Sequence, residues 1–103
     1  MKIKEMPKKI KEGCSEYKIE QKHPLNDDKD LGQILFPERI IKVDPKQHPL
    51  SVKETLLHEI VHLWLLNLHV GGTLEEVLCD NLAEKMICTM RNNPKLRKYL
   101  FED

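Results

Sequence analysis

The chain has 103 residues, 40% of them hydrophobic and 33% charged, which suffices for one domain with one small core and excludes a second. Seventeen basic residues balance seventeen acidic ones, so no overall field steers the molecule toward nucleic acid or anionic lipid, and neither is an expected partner. No apolar run approaches membrane-spanning length, and three cysteines without a Cys-x-x-Cys pair fit a reducing, cytoplasmic setting. In chain order, residues 1–12 alternate lysines with single apolar residues. They read as a solvated segment without the continuous apolar stretch of a signal peptide. Tyr17 and Ile19 alternate with Lys18 and Glu20, the period of a first strand. Residues 23–30 hold Pro24, Asn26, Asp27 and Asp28, a polar cluster expected to form a loop with His23 exposed. Short apolar runs at 31–36 and 39–44 predict two further strands, and Pro37-Glu38 between them suits the tight turn of a hairpin. Pro45 and Pro49 end the sheet region, with His48 expected in an exposed loop.

Ser51 and Glu54 have the spacing of a capping box at the start of a helix running to about residue 69. Its leucines, isoleucine and valines go round most of the circumference, which predicts a helix buried on nearly all sides. Gly71-Gly72 supplies a reversal, and Thr73 with Glu76 offers a second capping box for a helix over about 73–91. Asn93-Pro94 restarts the chain as a short helix to about residue 100. The expected architecture is α+β: a small three-stranded sheet, a buried helix and a second helix bearing glutamates, in a single domain spanning residues 1–103.

The predicted buried helix contains His58-Glu59-Ile60-Val61-His62, in which two imidazoles four positions apart share one helical face and can grip one metal ion. Zinc suits that ligand set. Glu59, rotated to the side, is placed to act as general base on a water held by the ion. A shuffled chain of this composition would show the motif by chance in about two or three cases per hundred, so its setting matters. Burying two histidines and a glutamate unpaired among leucines would cost several kilocalories, and a metal would supply their partner.

A third ligand is needed. The extended pattern with glycine and histidine after His62 fails, because positions 65 and 68 hold leucines. His69 lies seven residues beyond His62, roughly 10 Å along the axis, too far for the same ion. Glu76 and Asp80, spaced i and i+4 on the second helix, present oxygens on one face. Glu76 as ligand, with Asp80 accepting from the free ring nitrogen of His58, is the economical assignment. Asp80, Glu75 and Glu84 stay open as alternative ligands. Glu76 could instead turn back into its capping box, and a simple count of levels from a reversal at Gly71 puts Ala83 opposite the metal.

His58-Glu59-x-x-His62 followed by Glu76-x-x-x-Asp80 resembles the pattern of the gluzincin metallopeptidases. Glu54-Thr55-Leu56-Leu57 before the motif and Asp80-Asn81-Leu82-Ala83 after it look like the small phage and prokaryotic peptidases of the ImmA/IrrE type, and the size is similar to that of minigluzincins. The resemblance spans about residues 31–94. It implies a zincin-like minimal domain with Zn2+ held by His58, His62 and Glu76, Asp80 orienting His58, and a peptide or protein substrate hydrolysed by endopeptidase action.

A peptide could align by adding to a sheet edge, for which residues 31–36 are the expected strand. Weak candidates for a hydrogen-bond donor to the reacting carbonyl are Tyr17, Arg39, His69 and Tyr99. Cys79 and Cys88 read as small core residues. A rival expectation is a latent or non-catalytic zinc-binding regulatory module whose own C-terminus, Tyr99 to Asp103, fills the cleft.

Overall fold

The computed structural model describes residues 6–25, 30–68 and 70–102. It is α+β, with strands β1 (Lys9–Glu12), β2 (Ser15–Gln21), β3 (Gly32–Leu35) and β4 (Ile40–Val43), then helices α1 (Pro49–Asn67), α2 (Gly72–Asn92) and α3 (Pro94–Phe101). The sheet has four strands in the order β1-β2-β4-β3, which corrects the expected three. The added strand is β1. Its lysines face outward, but Ile10 packs against the core, and Gly13, at φ +59°, allows the tight return into β2. Alternation between lysine and single apolar residues was thus the period of an edge strand as much as of a solvated arm.

β2 and β4 run parallel, pairing Lys18 with Ile40 and Gln21 with Val43, while β3 folds back antiparallel on β4 with Gly32 opposite Val43. This leaves β3 as an outer strand. Its hairpin turns through residues 36–39 as expected, closed by Arg39 N–H donating to the Leu35 carbonyl at 3.0 Å. Arg39 takes the left-handed conformation at φ 60°.

Two apolar clusters sit on different sides of α1. Tyr17, Ile19, Ile41, Val43 and Leu63 form the sheet side, joined by Leu56 and Ile60; Val61, Leu65 and Cys79 form the α2 side, joined by Leu57. The apolar circumference of α1 is therefore used by two neighbours, a sheet and a helix. Burial is incomplete at its C-terminal end, where Trp64, Leu66 and Leu68 are exposed. A 19-residue helix is about 28 Å long, whereas the four-residue strands beside it reach about 13 Å, so the sheet covers only part of it.

Neither expected capping box forms. Pro49, lacking an N–H and fixed in φ, opens α1 two residues before Ser51, and His48 Nδ1 accepts from Leu50 N–H at 3.2 Å. α2 begins from Gly71 with no side-chain cap. Glu54 and Glu76 are left for other roles. His23 is not a bare loop residue either: its Nδ1 lies 2.8 Å from Oδ2 of Asp44, a carboxylate only 3% exposed, which also accepts from Lys46 N–H. Gln47 Nε2 donates to the Asp44 carbonyl, and Thr55 Oγ1 donates to Gln47 Oε1. This chain of bonds ties the end of the sheet to the second turn of α1 and sets the helix on the sheet.

Candidate metal centre

Residues 58–62 lie within α1, and the adjoining helix α2 carries Glu75, Glu76, Cys79 and Asp80 on one side. The connection between the helices occupies residues 68–71, so the reversal is centred earlier than Gly71. Residue 62 then comes level with about 76–77 and residue 58 with about 80–81, rather than Ala83 facing the metal ligands.

Three groups come close together. The Nε2 atoms of His58 and His62 stand 3.2 Å apart, and His62 Nε2 is 3.3 Å from Glu76 Oε1. Two ligand atoms bound at about 2.0–2.1 Å in a tetrahedral shell are separated by about 3.4 Å, so both distances match edges of such a shell. The outer ring nitrogens are occupied as well: His62 Nδ1 lies 2.7 Å from Glu75 Oε2, and His58 Nδ1 lies 3.4 Å from Asp80 Oδ1. Each carboxylate fixes a ring so that Nε2 faces inward, the arrangement by which neighbouring acids orient metal-binding histidines. Three overlapping groups here, His58 with His62 and Cys79, His58 with Glu76 and Asp80, and His62 with Glu75 and Glu76, bring their ligand atoms close enough to hold an ion, and this nitrogen, oxygen and sulfur donor set fits a divalent ion such as zinc.

Glu59 is half-buried between α1 and the start of β3. Burial pushes its carboxyl up to about 7; His62 pulls the value down, while Glu76 and Asp30 add to the rise. Such a group exchanges a proton near neutrality. Cys79 lies beneath the histidines, wholly buried, and burial with the surrounding carboxylates of Glu75, Glu76, Glu59 and Asp80 holds its thiol at about 12. In the metal-free chain this thiol packs beside Val61 and Leu65, and its Sγ also lies close enough to His58 and His62 to form with them a group that could hold an ion. Cys88, by contrast, is exposed rather than part of the core.

Glu75 is the residue whose role the sequence reading missed. It was an alternative ligand there; in the structure its Oε2 lies 2.7 Å from His62 Nδ1, where it can orient the ring, and it also belongs with His62 and Glu76 to a group that could hold an ion. Glu84 lines the neighbouring cleft and belongs to none of the metal-competent groups among the described residues. The four donor candidates are scattered. Tyr17 is buried in β2 with its ring edge-on to Phe36, Arg39 is exposed in the hairpin turn, and Tyr99 is 85% exposed on α3. His69 lies outside the described residues.

Two clefts border Glu59. One, of about 450 Å³, reaches from Asp30, Leu31 and Gly32 to His58, Asp80 and Glu84; the other, of about 260 Å³, is walled by Ile34, Phe36, His62, Leu63, Leu66 and Glu75. No residue of α3 lines either, so the described part of the C-terminal segment, which packs on α2, does not fill them; Asp103 lies outside the described residues. Among the described residues no helix is long and apolar enough to cross a membrane. Comparison with known protein families, with curated proteins and with solved structures gave no match for this chain.

Proposed function

We propose that the chain is a zinc-dependent endopeptidase of gluzincin type, a cytoplasmic hydrolase in which His58, His62 and Glu76 hold the ion and Glu59 is the general base. The observation that carries this reading is the approach of His62 Nε2 to both His58 Nε2, at 3.2 Å, and Glu76 Oε1, at 3.3 Å, with Glu59 next to His58 on the same helix. When bound, the ion supplies positive charge that acidifies water and polarises a carbonyl. Glu59 takes the proton released by the attacking water and returns it to the departing amine, ending in the state in which it began. Glu75 and Asp80 hold the imidazoles in place during this cycle.

Substrate alignment falls to β3, whose outer edge is unpaired in the sheet order and whose residues border both clefts. An extended peptide added there is held by main-chain bonds. The resemblance of the two-helix pattern to gluzincins of the ImmA/IrrE type supports the same assignment. The test has two parts. Purified chain is expected to bind one zinc per molecule and to hydrolyse an unfolded protein, while Glu59→Gln keeps the zinc and the fold but loses hydrolysis. Undiminished hydrolysis by Glu59→Gln rejects Glu59 as base, and zinc-free protein after metal supplementation rejects the centre.

A further inference from the structure

The two clefts that meet at Glu59 differ in lining: carboxylates predominate in one and apolar side chains in the other. In the larger one Glu54 and Glu59 come from α1, Asp80 and Glu84 from α2, and Asp30 from the approach to β3; no lysine or arginine is among its described lining residues. The smaller has four apolar residues, Ile34, Phe36, Leu63 and Leu66, facing Glu59, His62 and Glu75, with Phe36 and Leu66 each 52% exposed although both are large and apolar. Strand β3 passes along both. Leu31 and Gly32 border the acidic cleft, whereas Ile34 and Phe36 border the apolar one, a few residues further on.

A peptide laid along this edge has Glu59 near its middle and a different environment on each flank. We infer that the substrate carries a lysine or arginine on one flank of the scissile bond and a large apolar residue on the other. This inference rests on the peptidase reading and adds the substrate class to it. The acidic flank repels an anionic side chain and attracts a cationic one. Because Glu54 is half-buried and Glu84 exposed, water screens each, and the two together are expected to contribute about tenfold in affinity. The apolar flank contributes by removing Phe36 and Leu66, together with the ligand side chain, from water.

Binding tests this independently of turnover. The probes are fluorescein-labelled alanine hexapeptides with one lysine and one leucine flanking the central bond, in both orders, with matched peptides carrying glutamate for lysine or aspartate for leucine. They are titrated by polarisation against zinc-loaded, full-length Glu59→Gln protein. One lysine–leucine order is expected to bind about tenfold more tightly than its glutamate counterpart, with the gap shrinking as sodium chloride rises. Glu84→Lys and Glu54→Gln should each narrow the lysine preference while the leucine preference stays. Leu66→Ser should do the reverse.

Equal binding of lysine and glutamate peptides overturns the inference, as does a lysine preference untouched by Glu84→Lys and Glu54→Gln. Hydrolysis without such preference would leave the peptidase reading standing and remove this one. Preference without hydrolysis in the wild-type chain would do the opposite.

Discussion

A methyl group placed on Gly32 would lie 3.0 Å from Glu59 Oε1 and 2.7 Å from Thr55 Cγ2. The outer strand therefore reaches the general-base candidate only because residue 32 has no side chain, and Thr55 and Glu59, one helical turn apart, form the surface it meets. Gly32→Ala is expected to destabilise the fold by about 1–3 kcal/mol through the Thr55 contact. On the proposed peptidase reading it should also lower hydrolysis by displacing the Glu59 carboxyl without reducing zinc binding. Adding Thr55→Ser removes the offending methyl and keeps the hydroxyl bond to Gln47. The pair should recover stability but not activity, as read by thermal melting beside a turnover assay.

The distances around His62 set an order of metal affinities. If Glu76 is the proposed third ligand, Glu76→Ala is expected to weaken zinc binding by about a hundredfold or more, whereas Glu75→Gln, which loosens the His62 ring, costs about 10- to 100-fold. Glu84→Ala should leave affinity unchanged. Chelator competition measures all three, and a larger loss from Glu84→Ala than from Glu76→Ala would move the third ligand.

Glu59 also makes the metal-free chain sensitive to pH. Its folded value of about 7 exceeds the ordinary 4.5, so between those values the folded state keeps a proton that the unfolded state has released. Stability should fall as pH rises across that window, by up to about 3 kcal/mol, and stay level above it. Metal-free Glu59→Gln lacks the penalty. It should be more stable than wild type at pH 8 and no more stable near pH 4.5, which denaturant melts at the two values will show.

The helices, the 36–39 turn and the convergence of His58 with His62 were legible in the sequence because each depends on short-range periodicity. β1 was not. Its four residues bury only one side and gain their partner from β2, a pairing that local composition leaves undetermined. The helix starts were misplaced for a related reason: Pro49 and Gly71 determine where the backbone turns, and the serine and threonine boxes nearby fall inside the helices they were expected to begin. Freed from capping, Glu76 reaches His62 and Glu54 faces the cleft. The ligand assignment made from i and i+4 spacing needed the 68–71 connection as well, since one residue more or less in that turn shifts which carboxylate is level with which imidazole.

Asp44 helps to seat α1 without touching the candidate metal site. Its buried carboxylate accepts from His23 and from Lys46 N–H, and the His23 bond, opposed by burial, holds its carboxyl below the ordinary 3.8. A group with a depressed folded value stabilises the fold above its unfolded value, and that contribution is lost as pH falls through the folded one. Asp44→Asn keeps the shape but loses the charge-assisted bond to His23. The variant is expected to melt at a lower temperature than wild type at pH 6–7, with the difference shrinking as both are taken below pH 3.8. The peptidase reading adds a second expectation: because the Asp44–Gln47–Thr55 bonds end one turn before Glu59, the variant should lose turnover more than zinc affinity. A loss of zinc equal to the loss of turnover would show instead that the junction supports α1 as a whole rather than the position of Glu59.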